Sequence, residues 1–300
     1  MQKKILLLLF ISLTAIFPQS AGNTGLSFLK FGFGARNIAM GDAGTSLATD
    51  VTSLFYNPAG LAINPASEVM VMHNEWIQDI RSEILGARTV FFGIPFAVGF
   101  NVTTIPGIEV RTNPGDPLAT FSANYFFGSI STGFKVLDNL SVGISYKYLY
   151  EGIYVDESTG WGIDFGSTYI TTVQGLTVSA AVKNIGVMNT LRYESTKLPT
   201  EIRVGPSYSF SPDDKFLVTG AADFQKYTSD NGSHLNVGAE VLYDKLIALR
   251  FGYQSGYESK SISAGVGLMW GNLSFDYAFA PFNSDSGLGN GNLFSLQFKF

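Results

Sequence analysis

The last nine residues, Asn292-Leu293-Phe294-Ser295-Leu296-Gln297-Phe298-Lys299-Phe300, set Phe294, Leu296, Phe298 and Phe300 at alternate positions with Ser295, Gln297 and Lys299 between them. A strand has a side-chain period of two, so one face of this segment is apolar and the other polar. An aromatic face kept to the final residue gains little in a water-soluble sheet, whereas it suits the closing strand of a barrel set between lipid and a polar lumen. The pattern recurs upstream. In 140–150, Leu140, Val142, Ile144, Tyr146 and Tyr148 share one face while Ser141, Gly143, Ser145 and Lys147 share the other. Similar alternation runs through 96–104, 122–135, 161–169, 176–183, 202–210, 216–225, 235–243, 247–253, 262–270 and 273–279, and weakly through 68–76 and 82–92. With the terminal segment the tally is about 14, an even number as single-chain barrels require. The fold class expected is all-β: a transmembrane antiparallel up-and-down barrel.

Composition supports distribution of apolar surface by alternation. Hydrophobic residues make up 46% of the chain and charged ones 14%, yet no stretch beyond the first 22 residues is apolar for long enough to span as a helix. Those first residues carry Lys3-Lys4, an apolar run from Ile5 to Phe17, then Pro18 and Ser20-Ala21-Gly22, the three regions of a secretory signal. The organisation expected is a signal at 1–22, a separate segment at 23–67 and a barrel over 68–300. Cys is absent, which removes disulfides and thiolate metal sites, and a net charge of -5 argues against nucleic acid as a partner.

The connections add an independent argument. Short ones at 93, 137–139, 171–174, 211–214, 244–245 and 271–272 alternate with longer ones at 105–117, 151–159, 186–199, 226–232, 254–259 and 280–291. Outer-membrane barrels show this asymmetry, with turns in the periplasm and loops outside, and it places both termini on the periplasmic side. A secreted β-sandwich is the alternative fold. Tyr148, Tyr150, Trp161, Tyr169, Tyr243, Tyr253 and Trp270, which sit near strand ends where an interfacial girdle lies, favour the barrel.

Candidate chemistry is sparse. The polar faces carry Lys147, Asp164, Lys183, Arg203, Asp223, Glu240, Arg250 and Asp276, with Gln297 and Lys299 on the last strand. Charges of both signs in a restricted lumen are expected to pair with one another and with the segment before the barrel, because isolated ones are costly there; a polar path for solute is the functional alternative. His73 and His234 are the only histidines, no nucleophile elbow or metal-binding helix motif accompanies them, and both are expected as solvated strand or loop residues. Neither enzymatic activity, a cofactor nor a metal is expected. Gly32-Phe33-Gly34 lacks the third glycine of a nucleotide loop, and 283–287 lacks the Glu of a calcium loop.

Residues 25–67 precede the first strand and read unlike a membrane strand. Gly34-Ala35-Arg36, Ala39-Met40-Gly41 and Asn57-Pro58-Ala59-Gly60-Leu61-Ala62, in this order, resemble the PorV/PorQ family of Bacteroidetes-type bacteria, a branch of the FadL-like outer-membrane proteins. That resemblance implies a barrel of fourteen strands with this region folded inside it as a plug. It also implies a role in type IX secretion, as a partner or shuttle for exported proteins. FadL-like uptake of hydrophobic small molecules and a purely structural barrel are the alternatives. Outer-membrane lipid and the barrel assembly machinery, which reads a terminal aromatic such as Phe300, are further partners expected. The residues are compatible with a plug: Ala39, Gly41, Ala43, Gly44, Ser46 and Ala48 are small enough to pack in a narrow lumen. Pro58 fixes its own φ and biases Asn57 away from helix, while the Asn57 amide can bond local backbone, so Asn57, Pro58, Ala59 and Gly60 form the expected plug turn.

Overall fold

The computed structural model describes residues 24–229, 232–283 and 288–300. The signal segment 1–22 and most of the 283–287 loop lie outside the described residues. Sixteen strands follow one another: β1 Glu68–Glu75, β2 Arg81–Phe91, β3 Ile94–Val110, β4 Ala119–Leu137, β5 Leu140–Ile153, β6 Asp156–Ile170, β7 Leu176–Met188, β8 Thr190–Leu191, β9 Glu194–Ser195, β10 Glu201–Phe210, β11 Phe216–Tyr227, β12 Ser233–Tyr243, β13 Ile247–Ser255, β14 Ile262–Trp270, β15 Leu273–Pro281 and β16 Asn290–Lys299. All except β8 and β9 form one closed barrel of 14 antiparallel strands, each paired with its chain neighbour. The short β8–β9 hairpin sits in the connection between β7 and β10.

The terminal strand closes the ring. β16 pairs with β1 from Glu68 opposite Lys299 to Glu75 opposite Asn292. Closure leaves no row of unpaired backbone groups, which a sheet immersed in hydrocarbon cannot tolerate. A sandwich has two sheets with edges; this sheet has none. Side chains sort by parity, as β12 shows. Leu235, Val237, Val241 and Tyr243 are exposed on the outside, while His234, Asn236 and Glu240 are buried inside.

Several boundaries differ from the sequence reading, each for a physical reason. β3 and β4 extend well beyond 96–104 and 122–135, and β5 and β6 meet at a two-residue connection, 154–155, where a loop over 151–159 was expected. Polar residues there still pair strand to strand, since each strand satisfies the backbone of the other whatever its side chains. Tyr148 and Trp161 consequently lie within strands that continue past them. β1 and β2 alternate cleanly in burial although their sequences alternate weakly, because Met70, Met72 and Ile84 point inward against an apolar interior. Hydropathy cannot report a face when both faces are apolar.

Inside the ring lie four short helical turns: Ser27–Lys30, α1 Ala35–Ala39, α2 Ser53–Tyr56 and Pro58–Ala62. Nearly all their residues are buried. The segment traverses the barrel. The Gly25 N–H donates to the Lys197 carbonyl in the connection before β10, at the rim with the longer connections, and the Phe300 N–H donates to the Ser67 carbonyl at the opposite rim. Thr24 and Gly25, the first described residues, therefore lie at the rim opposite the C-terminus; the chain before them, on which the expected placement of the N-terminus bears, lies outside the described residues.

Candidate functional site

The wall is shaped to receive the internal segment. Gly133, Gly143 and Gly166 stand directly opposite one another on β4, β5 and β6. A Cβ on any of them would collide with Asn57, Pro58 or Ala59. On β12, β13 and β14, Gly238, Gly252 and Gly265 make the same allowance for Met40, Gly41 and Ala39. Two glycine-lined furrows thus seat two parts of the plug, a feature the sequence reading missed because glycine abundance does not reveal cross-strand register.

Within the first furrow Asn57 is fully buried. Its Oδ1 accepts from the Ala59 N–H at 3.1 Å, the local bond expected of the turn. Its Nδ2 also donates to the Thr45 carbonyl at 3.1 Å, the Ser167 carbonyl at 3.1 Å and Thr168 Oγ1 at 3.0 Å, tying the turn to the plug and to β6. Gly34, with φ +81, donates its N–H to Met72 Sδ, and the next two plug-motif residues reach the wall as well: the Ala35 N–H donates to Ser295 Oγ and Arg36 pairs with Glu240. Gly41 donates to Ser263 Oγ at 3.2 Å.

The structure places Lys147, Asp164, Lys183, Arg203, Asp223, Glu240, Arg250 and Asp276 inside the barrel, all buried. They form three groups. Lys147 Nζ lies 2.6 Å from Asp164 and donates to Asn184 Oδ1. Arg203 spans Glu201 on its own strand and Asp42 of the plug, whose carboxylate and carbonyl both accept from its guanidinium; Lys183 reaches Glu201 at 2.6 Å, and Asp223 accepts from both the N–H and the hydroxyl of Thr45. Arg250 links Glu240 to Asp276, and Glu240 also holds Arg36 at 2.7 Å. Removing one member of a buried pair costs about 3–5 kcal/mol, because the other charge stays behind uncompensated. The second and third groups, through Asp42, Thr45 and Arg36, latch the plug to the wall, while the Lys147 group joins wall strands to one another. The sequence reading missed Glu201 and Asp42, and also the buried Arg88–Glu68 pair at 2.6 Å. Glu201 was legible, since it shares a strand face with Arg203; Asp42 was not, since nothing in a nonrepetitive segment marks its partner.

The histidines separate. His73 faces outward beside Glu83, at 2.6 Å, and Glu75. His234 is buried and stacks on Tyr257 with ring centres 3.9 Å apart, so it is not the solvated residue expected.

His234 and Tyr257 line a cavity of about 480 Å³ at the long-connection rim, completed by Phe31, Trp76, Tyr227 and Phe282. Trp76 meets Phe31 at 5.5 Å and Phe282 edge-on at 5.1 Å. Gly291 leaves room for the indole, since a Cβ there would meet its ring. Lys30, Lys260 and Glu258 bring charge to the lining. Below this vestibule, Phe28 packs on Tyr125 and Phe127, and Phe33 stacks on Phe55 at 4.3 Å, within an apolar cluster that includes Met70, Met72, Ile84 and Leu293. Phe31 and Trp76 pack against that cluster and so join it to the vestibule. A second cavity, about 490 Å³, lies on the outer wall among Val71, Leu85, Phe100, Phe275, Phe294 and Leu296, and the strand pairing behind it, Met72 opposite Ile84 and Ser295, is unbroken.

Neither a known protein family nor any curated protein matches the sequence. Solved structures do match in fold. The monoaromatic hydrocarbon channel CymD aligns with a TM-score of 0.64 at 13% identity, over 90% of this chain and 98% of that one. The Pseudomonas putida toluene transporter TodX gives 0.62 at 12% identity, over 89% and 97%, and a Pseudomonas aeruginosa FadL homologue 0.54 at 14% identity, over 89% and 97%. The 14-stranded barrel is thus similar in fold to FadL-like outer-membrane channels.

Proposed function

We propose that this protein resides in the outer membrane and admits small hydrophobic molecules through its plugged barrel. The observation that carries the reading is the junction at Phe31 and Trp76, where an aromatic cavity at the long-connection rim packs directly onto the apolar interior cluster. Apolar and aromatic walls with a few polar groups are what a small-molecule site requires. The groove on the outer wall is an apolar surface where the barrel meets the bilayer. The hydrocarbon channels of similar fold support the same reading. The secretion-partner role implied by the PorV/PorQ resemblance draws no support from the comparisons, and transport rather than catalysis is the activity proposed.

The test is uptake of radiolabelled toluene by whole Gram-negative cells with and without the protein. Faster uptake, reduced by Trp76→Ala at equal membrane content, is the expected outcome. Equal uptake with and without the protein would overturn the proposal.

A further inference from the structure

The vestibule is not a purely apolar cavity. Lys260 Nζ stands 4.3 Å from the Tyr257 ring centre and 5.9 Å from that of Trp76, and Lys30 Nζ stands 4.9 Å from that of Tyr227. Lys260 lies in the connection between β13 and β14, held by a bridge to Phe282. Among the described residues it makes no ion pair. Burial lowers its pKa from the ordinary lysine range, as it does for an ammonium that water solvates poorly. Glu258 belongs to the same lining but is exposed. A neutral hydrocarbon in this cavity offers the half-buried ammonium no partner, whereas an anionic group on the same ring does.

We infer that the vestibule selects aromatic carboxylates, the ring held among Trp76, Tyr257, His234 and Phe282 and the carboxylate accepting from Lys260, with Lys30 as a second cation. This rests on the uptake reading above and narrows its solute class. Flat rings gain from offset and edge-on packing against aromatic walls, which a linear alkyl chain does not. Charge-assisted hydrogen bonds between ammonium and carboxylate are roughly twice as strong as neutral ones, so Lys260 separates an aromatic acid from its parent hydrocarbon.

Three probes divide the possibilities: 2-naphthoate, naphthalene with the same ring and no charge, and decanoate with the same charge and no ring. Their binding to the full-length protein is measured in detergent by calorimetry, alongside Lys260→Met and Lys30→Met, with heat-modifiable gel mobility checking that each variant is folded. The expected result is that 2-naphthoate binds about tenfold more tightly than either other probe, as one hydrogen bond to a charged group implies. Lys260→Met abolishes the preference over naphthalene and leaves naphthalene itself within about twofold. Lys30→Met gives a smaller loss of the same sign. Equal affinity for 2-naphthoate and naphthalene, or for 2-naphthoate and decanoate, overturns the inference, as does a folded Lys260→Met that retains the full preference. Binding in detergent is independent of passage through the membrane, so its failure leaves toluene uptake standing, and failure of toluene uptake leaves the binding result standing.

Discussion

Asn57 shows how much one side chain can hold in this barrel. Its amide bonds its own turn, the Thr45 carbonyl elsewhere in the plug, and both backbone and hydroxyl of the Ser167–Thr168 pair on the wall. Asn57→Leu removes the amide's donors to the Thr45 and Ser167 carbonyls and the acceptor of the Ala59 N–H, and a buried polar group left unpaired costs about 1–3 kcal/mol. We expect the variant to unfold at lower temperature than wild type by heat-modifiable gel mobility while retaining β circular dichroism; an unchanged midpoint would remove Asn57 from the plug's anchorage. The turn itself was legible, because Asn before Pro restricts the backbone and offers a side-chain acceptor. Its reach to Thr168 was not, since 111 residues separate the two and only the register of the barrel brings them together. The vestibule was invisible for the same reason: Phe31, Trp76, His234, Lys260 and Phe282 come from five separate parts of the chain.

At the scale of elements, alternation made most strands legible. It works where one face meets a polar interior, as on β5 and β12, and fails on β1 and β2, where methionines face an apolar one. Ends were legible where a turn signal is tight, such as Gly271-Asn272 between β14 and β15, and not where paired strands run on through polar residues, as β3 and β4 do. The last strand carries its own prediction. Phe300 is largely exposed, packs edge-on against Phe298 at 5.0 Å and bonds Ser67, so it contributes little to the folded interior. Deleting it is expected to lower the amount of folded protein reaching the membrane several-fold, an effect on assembly, while the fraction that does fold keeps the wild-type melting midpoint. A lowered midpoint with normal yield would instead make Phe300 a stability element.

Across the whole molecule, one chain supplies both the wall and the body that fills it. The two glycine furrows and the latches through Arg36, Asp42 and Thr45 fix the plug to the wall, while an apolar cluster that includes Phe55 packs against Phe31 and Trp76. We propose that the plug, nearly all of whose helical residues are buried within the ring, denies ions a continuous path. Single-channel conductance in planar bilayers tests this most directly, comparing wild type with a deletion of residues 25–62. The account predicts a silent wild type and a deletion variant with large, steady conductance steps; equal conductance and noise in the two proteins would contradict it.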